Sequence, residues 1–166
     1  MAAEGYARYT TDKPALVCVT SGPGGTNTLT GVMGAYVDSI PMLIVSGQCR
    51  YNTSVPDAGI PLRSRGIQEF NIVDTVKTMT KYAKLVTDPL EIKREVQKAY
   101  DIAMTGRRGP VWLDIPQNVQ NTIVEEEDLL PVLPKPEPIK AEEHLIKKMQ
   151  LSLIHISEPT RRVVIS

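Results

Sequence analysis

The stretch Thr20-Ser21-Gly22-Pro23-Gly24-Gly25-Thr26-Asn27 joins two segments with different hydrophobic patterns. Before it, Ala15–Val19 is a continuous apolar run with the length and composition of a buried strand. After it, apolar side chains recur at the spacing of one helical face, at Leu29, Val32, Met33 and Tyr36. The small residues are therefore predicted to form a tight turn between a strand and a helix, at the strand end where open α/β sheets bind ligands.

Strand and helix patterns alternate along most of the chain. Further strands are predicted at 41–45, 82–86 and 110–115, and helices over 2–10 and around Ile72–Val76. Strands that are apolar throughout are typical of a parallel sheet whose two faces are both covered. The predicted fold class is therefore α/β, with a parallel sheet and helices on both faces.

The longest predicted helix has a marked start and an apolar face. Asp88 is placed to cap it, Pro89 suits its first turn, and Glu91 gives the spacing of a capping box. The face that we expect to pack on the sheet carries Ile92, Val96, Ala99 and Ala103.

Composition excludes several classes of function. The chain has 166 residues, with 19 basic and 19 acidic side chains. Balanced charge without a basic face makes nucleic acid and membrane poor partners, and no apolar run approaches the roughly 20 residues of a membrane span. Both histidines, His144 and His155, lie near the C-terminus, so no imidazole serves a catalytic triad in the body of the chain. Two unpatterned cysteines, Cys18 and Cys49, indicate a reducing compartment, and we expect a cytoplasmic protein.

Composition also divides the chain. Residues 1–130 carry the alternating pattern and are expected to form one domain. Residues 131–150 are expected to be a stiff linker, with four prolines between 131 and 138, followed by the first helix of a further domain. Residues 151–161, LSLIHISEPTR, match the in-frame translation of a transposase adapter used in sequencing libraries. We interpret residues 151–166 as adapter sequence, the alternative being an ordinary amphipathic tail.

The glycine-rich turn does not identify a ligand by itself. Gly22, Gly24 and Gly25 permit a close approach to the backbone, and the following helix N-terminus favours an anion. No Lys-Ser or Lys-Thr follows the glycines, so the turn is not a P-loop, and its spacing is not GxGxxG. A purely structural turn fits this segment as well as a ligand site does.

Seven motifs occur in order along residues 1–130. They are EGYAR at 4–8, TSGPGGTN at 20–27, DSIP at 38–41, SGQ at 46–48, GIQE at 66–69, GRRGPV at 106–111 and DIPQNVQ at 114–120. This series resembles the N-terminal, pyrimidine-binding domain of thiamine-diphosphate enzymes. Within that family it looks most like acetolactate synthase and its relatives.

The resemblance implies a larger enzyme. In this family thiamine diphosphate and Mg²⁺ lie between the first domain of one subunit and the third domain of another, so a homodimer or homotetramer is expected. The cofactor supplies the chemistry, in which a 2-oxo acid such as pyruvate loses CO2 and the remaining fragment is joined to a second 2-oxo acid. The metal and diphosphate motif of the third domain does not occur in this sequence. Binding of FAD depends on domains outside it.

The resemblance also transfers roles to individual residues. Pro23, Gly24 and Asn27 are expected to contact the cofactor, with Pro23 and Asn27 packing and orienting the pyrimidine ring. Gln48 is expected to lie near the cofactor, and Gln68 to reach the reaction centre as the catalytic residue. A helix cap is an equally good interpretation of Asn27, and a loop hydrogen bond is an equally good one of Gln48.

Several features depart from the family pattern. The activating glutamate is expected upstream of Glu4, so we expect Met1 to be an internal methionine and this chain alone to be inactive. Ile67 stands where the synthases usually carry Phe, and the loop 49–66 is longer than theirs. Arg63 and Arg65 fit solvated charges better than a site for a substrate carboxylate. The alternatives are therefore another thiamine-diphosphate enzyme (a 2-hydroxyacyl-CoA lyase, an aryl-oxo-acid decarboxylase or a cyclic-dione hydrolase) and a non-catalytic assembly module.

Overall fold

The structure, a computed structural model, describes residues 1–10, 12–135 and 143–157, and for 152–157 it describes the backbone only. Its sheet has the order β1-β2-β4-β3, with the strands Ala15–Val19 (β1), Met42–Gln48 (β2), Tyr82–Leu85 (β3) and Pro110–Pro116 (β4). All neighbouring strands are parallel. The central pair, β2 and β4, stays in register along its whole length, so both strands end at the same edge.

Helices lie on both faces of this sheet, as predicted. Ala2–Tyr9 (α1), Leu29–Val37 (α3) and Ile72–Val76 (α5) pack on one face, and Ile92–Met104 (α6) packs on the other. The connections contain the single-turn helices Pro23–Thr26 (α2), Val55–Ala58 (α4) and Gln117–Gln120 (α7), and the 3-10 turns Tyr51–Thr53, Pro89–Glu91 and Glu126–Asp128. A last helix spans Glu143–Ser157 (α8). The α/β fold class is therefore confirmed.

The alternation of side chains along the central strands produces two cores. On one face, fully buried Trp112 and Ile44 pack with side chains of α1, α3 and α5. On the other face, Val111 and Leu113 pack against the alanines of α6. Because successive residues of a strand point to opposite faces, neighbouring residues of β4 contribute to different cores.

Strand β1 is less buried than predicted. Ala15 is buried and Val17 and Val19 are partly buried, but Leu16 is 63% exposed and Cys18 is exposed. The exposed pair points to the face that α6 covers, where α6 packs over β2, β3 and β4 and the described core cluster beneath it contains no β1 side chain. A continuously apolar run therefore indicated the strand correctly but overstated its burial.

Helix α3 buries only part of the predicted face: Val32 is fully buried and Leu29 packs against the core as predicted, but Met33 and Tyr36 do not. Gly31, Val32 and Ala35 are buried, whereas Met33 and Tyr36 are 49% and 41% exposed. Small side chains on the buried face allow the helix backbone to approach the sheet and α1 closely. The larger apolar residues are left outside this contact.

Helix α6 also differs from the prediction in one respect. The two alanines are buried as expected, but Val96 is 37% exposed and Glu95 is almost completely buried. The Glu95 carboxylate accepts hydrogen bonds from the Tyr82 hydroxyl at 2.6 Å and from Lys84 Nζ at 2.9 Å. These bonds offset the cost of burying a charge at a position that the periodicity alone did not select.

The predicted start of α6 is partly confirmed. Asp88 accepts a hydrogen bond from the Leu90 backbone N–H at 2.9 Å, as a capping residue does. Glu91 does not complete a capping box, because its carboxylate binds Lys84 Nζ at 2.8 Å and the Arg94 guanidinium. Ion pairs with Lys84 and Arg94 thus replace the expected capping-box hydrogen bond of Glu91.

The C-terminal predictions fall partly outside the described residues. Helix α8 agrees with a helix in the predicted range up to residue 150, while residues 136–142, within the predicted linker and helix start, are not described. The adapter interpretation of 151–166 stays a prediction, and 158–166 lie outside the described residues. Among the helices that the structure describes, none combines the length and apolar character needed to cross a membrane.

Candidate functional site

A cleft of about 880 Å³ opens at the carboxyl ends of β1, β2 and β4. Its walls combine apolar side chains with hydroxyl and amide groups. The apolar residues include Val19, Val45, Ile67 and Ile115, and the polar ones include Thr20, Ser21, Gln48, Gln117 and Gln120. Arg50 is the one charged side chain among the described residues that line it. The cleft thus lies at the carboxyl ends of the parallel strands, where open α/β sheets bind ligands.

The glycine-rich turn after β1 is fixed by its own backbone and by the core beneath it. Gly22 has φ 57° and ψ −116°, a conformation that side chains rarely allow, and Pro23 then begins α2. Gly25 is buried, and a Cβ added there would lie 3.4 Å from Ile72 and 3.6 Å from Trp112. The turn therefore rests directly on side chains of the core.

A second turn, residues 66–69, lies against the first one. A Cβ added to Gly22 would come within 2.6 Å of the Gln68 carbonyl oxygen, so the two backbones are in close contact. Gln68 itself has φ 53°, which is uncommon for a residue other than glycine. Such conformations cost about 1–3 kcal/mol and cluster at functional sites. The contact brings Gln68 beside the turn that contains Pro23, Gly24 and Asn27.

Asn27 does not use its side chain as a helix cap. It ends α2, where its backbone N–H donates to the Pro23 carbonyl at 3.0 Å, while Thr28 occupies the cap position of α3. The Asn27 side chain is exposed, and no hydrogen bond to it is found within the part of the chain that the structure describes. Its amide is therefore available to a ligand.

Gln48, at the end of β2, uses its whole side-chain amide within the protein. Its Nε2 donates to the Phe70 carbonyl and to Asp114 Oδ2, both at 3.0 Å, and its Oε1 accepts from the Cys49 N–H at 3.0 Å. Gln48 also lines the cleft. The amide thereby ties the strand end to the segment that begins at Phe70.

Asp114, on β4, is a buried acid that the sequence analysis did not select. It is 2% exposed and accepts hydrogen bonds from the Ser46 hydroxyl at 2.6 Å and from Gln48. Ser46 in turn accepts a bond from Trp112 Nε1 at 2.7 Å. Burial raises the pKa of Asp114 to about 6, although both hydrogen bonds act in the opposite direction. The sequence feature that could have identified Asp114 is a charged residue within the otherwise apolar strand β4.

A second cavity, of about 530 Å³, is lined by Gln48 and Asp114, and Gln48 also lines the cleft. Arg63, Glu69 and Phe70 contribute to its walls. Arg65 lies 3.6 Å from Asp57, and both side chains are largely exposed. Arg65 is thus in an exposed ion pair, and Arg63 faces a cavity rather than bulk solvent alone.

The predicted site residues take different positions relative to the cleft. Among the described residues that line it, Gln48 is the one predicted site residue. Pro23, Gly24 and Asn27 lie two, three and six positions after the lining residue Ser21, and Gln68 directly follows the lining residue Ile67. The fold therefore gathers these residues at one edge of the sheet. Contacts with a ligand stay predictions for all of them. Within the described residues no group of His, Cys, Asp and Glu side chains is arranged to hold a metal ion.

Comparison with known proteins gives one consistent result. Residues 1–75 match the family model described as thiamine pyrophosphate enzyme, N-terminal TPP binding domain. The acetolactate synthase of Arthrospira platensis is 41% identical over 133 residues, which cover 80% of this chain and 21% of that protein. The large subunit from Haemophilus influenzae is 42% identical over 119 residues, 72% of this chain and 19% of that protein. The large subunit from Lactococcus lactis is 36% identical over 164 residues, 99% of this chain and 27% of that protein. The chain thus spans about a fifth to a quarter of the length of these relatives.

Proposed function

We propose that this chain, which belongs to the thiamine pyrophosphate enzymes and is acetolactate synthase-like, supplies the pyrimidine-binding wall of a carboligase or decarboxylase that acts on 2-oxo acids. When bound, thiamine diphosphate supplies the nucleophilic carbon that releases CO2 from the acid and transfers the remaining fragment. The complete protein is further proposed to act in the cytoplasm as a homodimer or homotetramer. Residues 1–130 would form its pyrimidine-binding domain.

One observation carries this proposal: the close contact of Gly22 with the Gln68 carbonyl. It joins two turns that are 46 positions apart in sequence, at the strand edge where the cleft opens. Pro23 then offers a rigid apolar surface to a flat ring, and the Asn27 and Gln68 side chains offer amide groups. We propose that Pro23 and Asn27 orient the pyrimidine and that Gln68 acts on the substrate side.

The character of the cleft fits a neutral heteroaromatic ring. Its walls are apolar side chains interspersed with hydroxyl and amide groups, which can hydrogen-bond ring nitrogens without carrying charge. A diphosphate with Mg²⁺ has different requirements, namely several carboxylate or carbonyl ligands and cations. The cleft offers one cation, Arg50, and no arranged set of metal ligands among the described residues. We propose that Mg²⁺ and the diphosphate are held by residues outside this chain, and that any FAD is too.

Activity of the complete protein tests the proposal. With pyruvate, thiamine diphosphate and Mg²⁺, we expect release of CO2 and formation of acetolactate. Asn27→Ala should weaken thiamine diphosphate binding about tenfold, which is the loss of about one to two hydrogen bonds. Asn121→Ala, an exposed asparagine at the end of α7, should leave binding unchanged. A protein that neither binds thiamine diphosphate nor releases CO2 from any 2-oxo acid would instead be an assembly module.

Ile67 favours a second candidate with the same cofactor and another substrate. Its side chain is 88% exposed and lines the cleft, at a position where the resemblance leads us to expect Phe. A lyase, decarboxylase or hydrolase of the family would then act on a different oxo compound. Turnover of larger or aromatic 2-oxo acids in preference to pyruvate would support this candidate.

A further inference from the structure

The long polar segment 49–69 is closed on itself by one carboxylate. Glu69 Oε1 accepts a hydrogen bond from the Val55 N–H at 2.6 Å, and Oε2 accepts from Arg65 and Gly66 at 2.9 and 2.8 Å. Val55 lies 14 residues before Glu69, so these bonds join the beginning of the segment to its end. Apart from the 3-10 turn Tyr51–Thr53 and the single turn of α4, the segment has no regular structure, so its path depends on contacts of this kind.

The bonds to Glu69 are of the strong, charge-assisted type. Partial burial alone would raise the pKa of this carboxyl, but the backbone N–H groups of Gly66, Val55 and Arg65 outweigh it and hold the pKa below its ordinary value. Glu69 is therefore ionised at neutral pH. All three direct donors are main-chain groups, so the carboxylate fixes the path of the backbone rather than the position of another side chain.

Gln68 immediately precedes this carboxylate in the chain. The turn that contains it is also closed by the Glu69 N–H, which donates to the Gly66 carbonyl at 3.3 Å. Gln68 has φ 53° within the turn and places its carbonyl against Gly22. A conformation of this kind persists only where neighbouring contacts hold it. The bonds that Glu69 makes to Val55, Arg65 and Gly66 are such contacts.

We propose that Glu69 is a positioning residue. Its carboxylate holds the 49–69 segment closed and thereby fixes the turn that carries Gln68 and the cleft-lining residue Ile67. This inference rests on the proposed function, in which Gln68 acts on the substrate side. Glu69 lines the neighbouring cavity and is not among the described residues that line the cleft, so it acts through the turn that it holds.

Glu69→Gln in the complete protein is the direct test. Glutamine has the same shape but replaces one acceptor oxygen with an NH₂ donor, which cannot accept from a backbone N–H. We expect kcat per bound thiamine diphosphate to fall about 10- to 100-fold, the scale of a misplaced active-site group. KM and the affinity for thiamine diphosphate should change less than threefold. Glu69→Asp, which keeps the charge, should recover part of kcat.

Glu127→Gln is the matched control. Glu127 is exposed, and its side chain makes no hydrogen bond among those found in the described residues, so all kinetic constants should stay at wild-type values. A Glu69→Gln protein with wild-type kcat would overturn the inference. So would an equal loss of cofactor affinity and kcat, because that result indicates general damage to the fold.

Hydrogen exchange of the wild-type protein decides the case if Glu69→Gln does not fold. The backbone amides of Val55, Arg65 and Gly66 should exchange about tenfold more slowly than those of Ser64 and Ile67, for which no acceptor is found in the described residues. Equal rates would overturn the proposal. A wild-type protein without turnover counts against the proposed function alone, because the exchange rates test the role of Glu69 independently.

Discussion

Replacing Gly22 by alanine should separate the two turns that form the candidate site. The new Cβ would come within 2.6 Å of the Gln68 carbonyl oxygen, a distance that real Cβ atoms do not tolerate. The obstacle is backbone, so no side-chain rotation can relieve it. One of the two turns must therefore move away by several tenths of an ångström.

Two effects contribute to the cost of Gly22→Ala. The conformation at φ 57° and ψ −116° is strained for any residue with a Cβ, which costs about 1–3 kcal/mol. The collision with Gln68 adds the cost of an overpacked contact, also about 1–3 kcal/mol. We expect the free energy of unfolding to fall by about 2–6 kcal/mol. The affinity for thiamine diphosphate should weaken about tenfold or more, because the displaced turn carries Pro23 and Asn27.

Two further glycines separate these effects. Gly59 has φ 63°, but a Cβ there would meet nothing within 4 Å, so Gly59→Ala should show the strain alone, about 1–2 kcal/mol. Gly34 lies within α3 with open space around it, and Gly34→Ala should stabilise the protein by about 0.5–1 kcal/mol. The free energy of unfolding is measured by urea unfolding of the complete protein, monitored by hydrogen exchange of peptides from β2 and β4. Cofactor affinity is measured as the dissociation constant of thiamine diphosphate.

The relative stabilities and cofactor affinities of the three variants test whether the contact organises the site. Gly22→Ala should be the least stable and the only one with weakened cofactor binding. If it is no less stable than Gly59→Ala and binds thiamine diphosphate normally, the contact between Gly22 and Gln68 does not organise the site.

Two other predictions concern the sheet. Leu113→Ala should cost about 2–5 kcal/mol in the free energy of unfolding because the side chain is fully buried, whereas Leu16→Ala should cost less than about 1 kcal/mol because it is 63% exposed; equal losses in urea unfolding would contradict the arrangement of α6 over the sheet. For Asp114, the folded pKa of about 6 lies above the ordinary value of 3.8, so the folded protein binds the proton more tightly. Its stabilising contribution is therefore complete below pH 3.8 and is lost as the pH rises through about 6, on the order of 3 kcal/mol. Asp114→Asn should lack this component in urea titrations at pH 4 and pH 7, and an unchanged pH dependence would show that Asp114 does not titrate in this way.

The candidate site was predictable where a motif is local and was missed where it is not. The turn 20–27 and the residues after it could be placed at a strand end because turn composition is a property of adjacent residues. The hydrogen bonds from Gln48 and Ser46 to Asp114 span 66 and 68 positions, and no pattern in the sequence pairs these residues. No sequence pattern pairs the carboxylate of Glu69 with the backbone of Val55 either, because the fold of the segment between them brings the two together.

The order of strands and helices followed from the sequence, because the hydrophobic period of each segment depends on residues that are close along the chain. The burial of individual side chains could not be predicted from the sequence in the same way. Leu16 is as apolar as Leu113, yet one is exposed and the other fully buried, because α6 packs over β2, β4 and β3 and leaves this face of the opposite edge strand, β1, uncovered. Glu95 reverses the expectation, since Tyr82 and Lys84 of the neighbouring strand supply its hydrogen bonds. Local pattern thus determined which segments form strands and helices. Tertiary packing determined which faces are buried and which distant polar groups share one site, because both depend on neighbours that the chain order does not reveal.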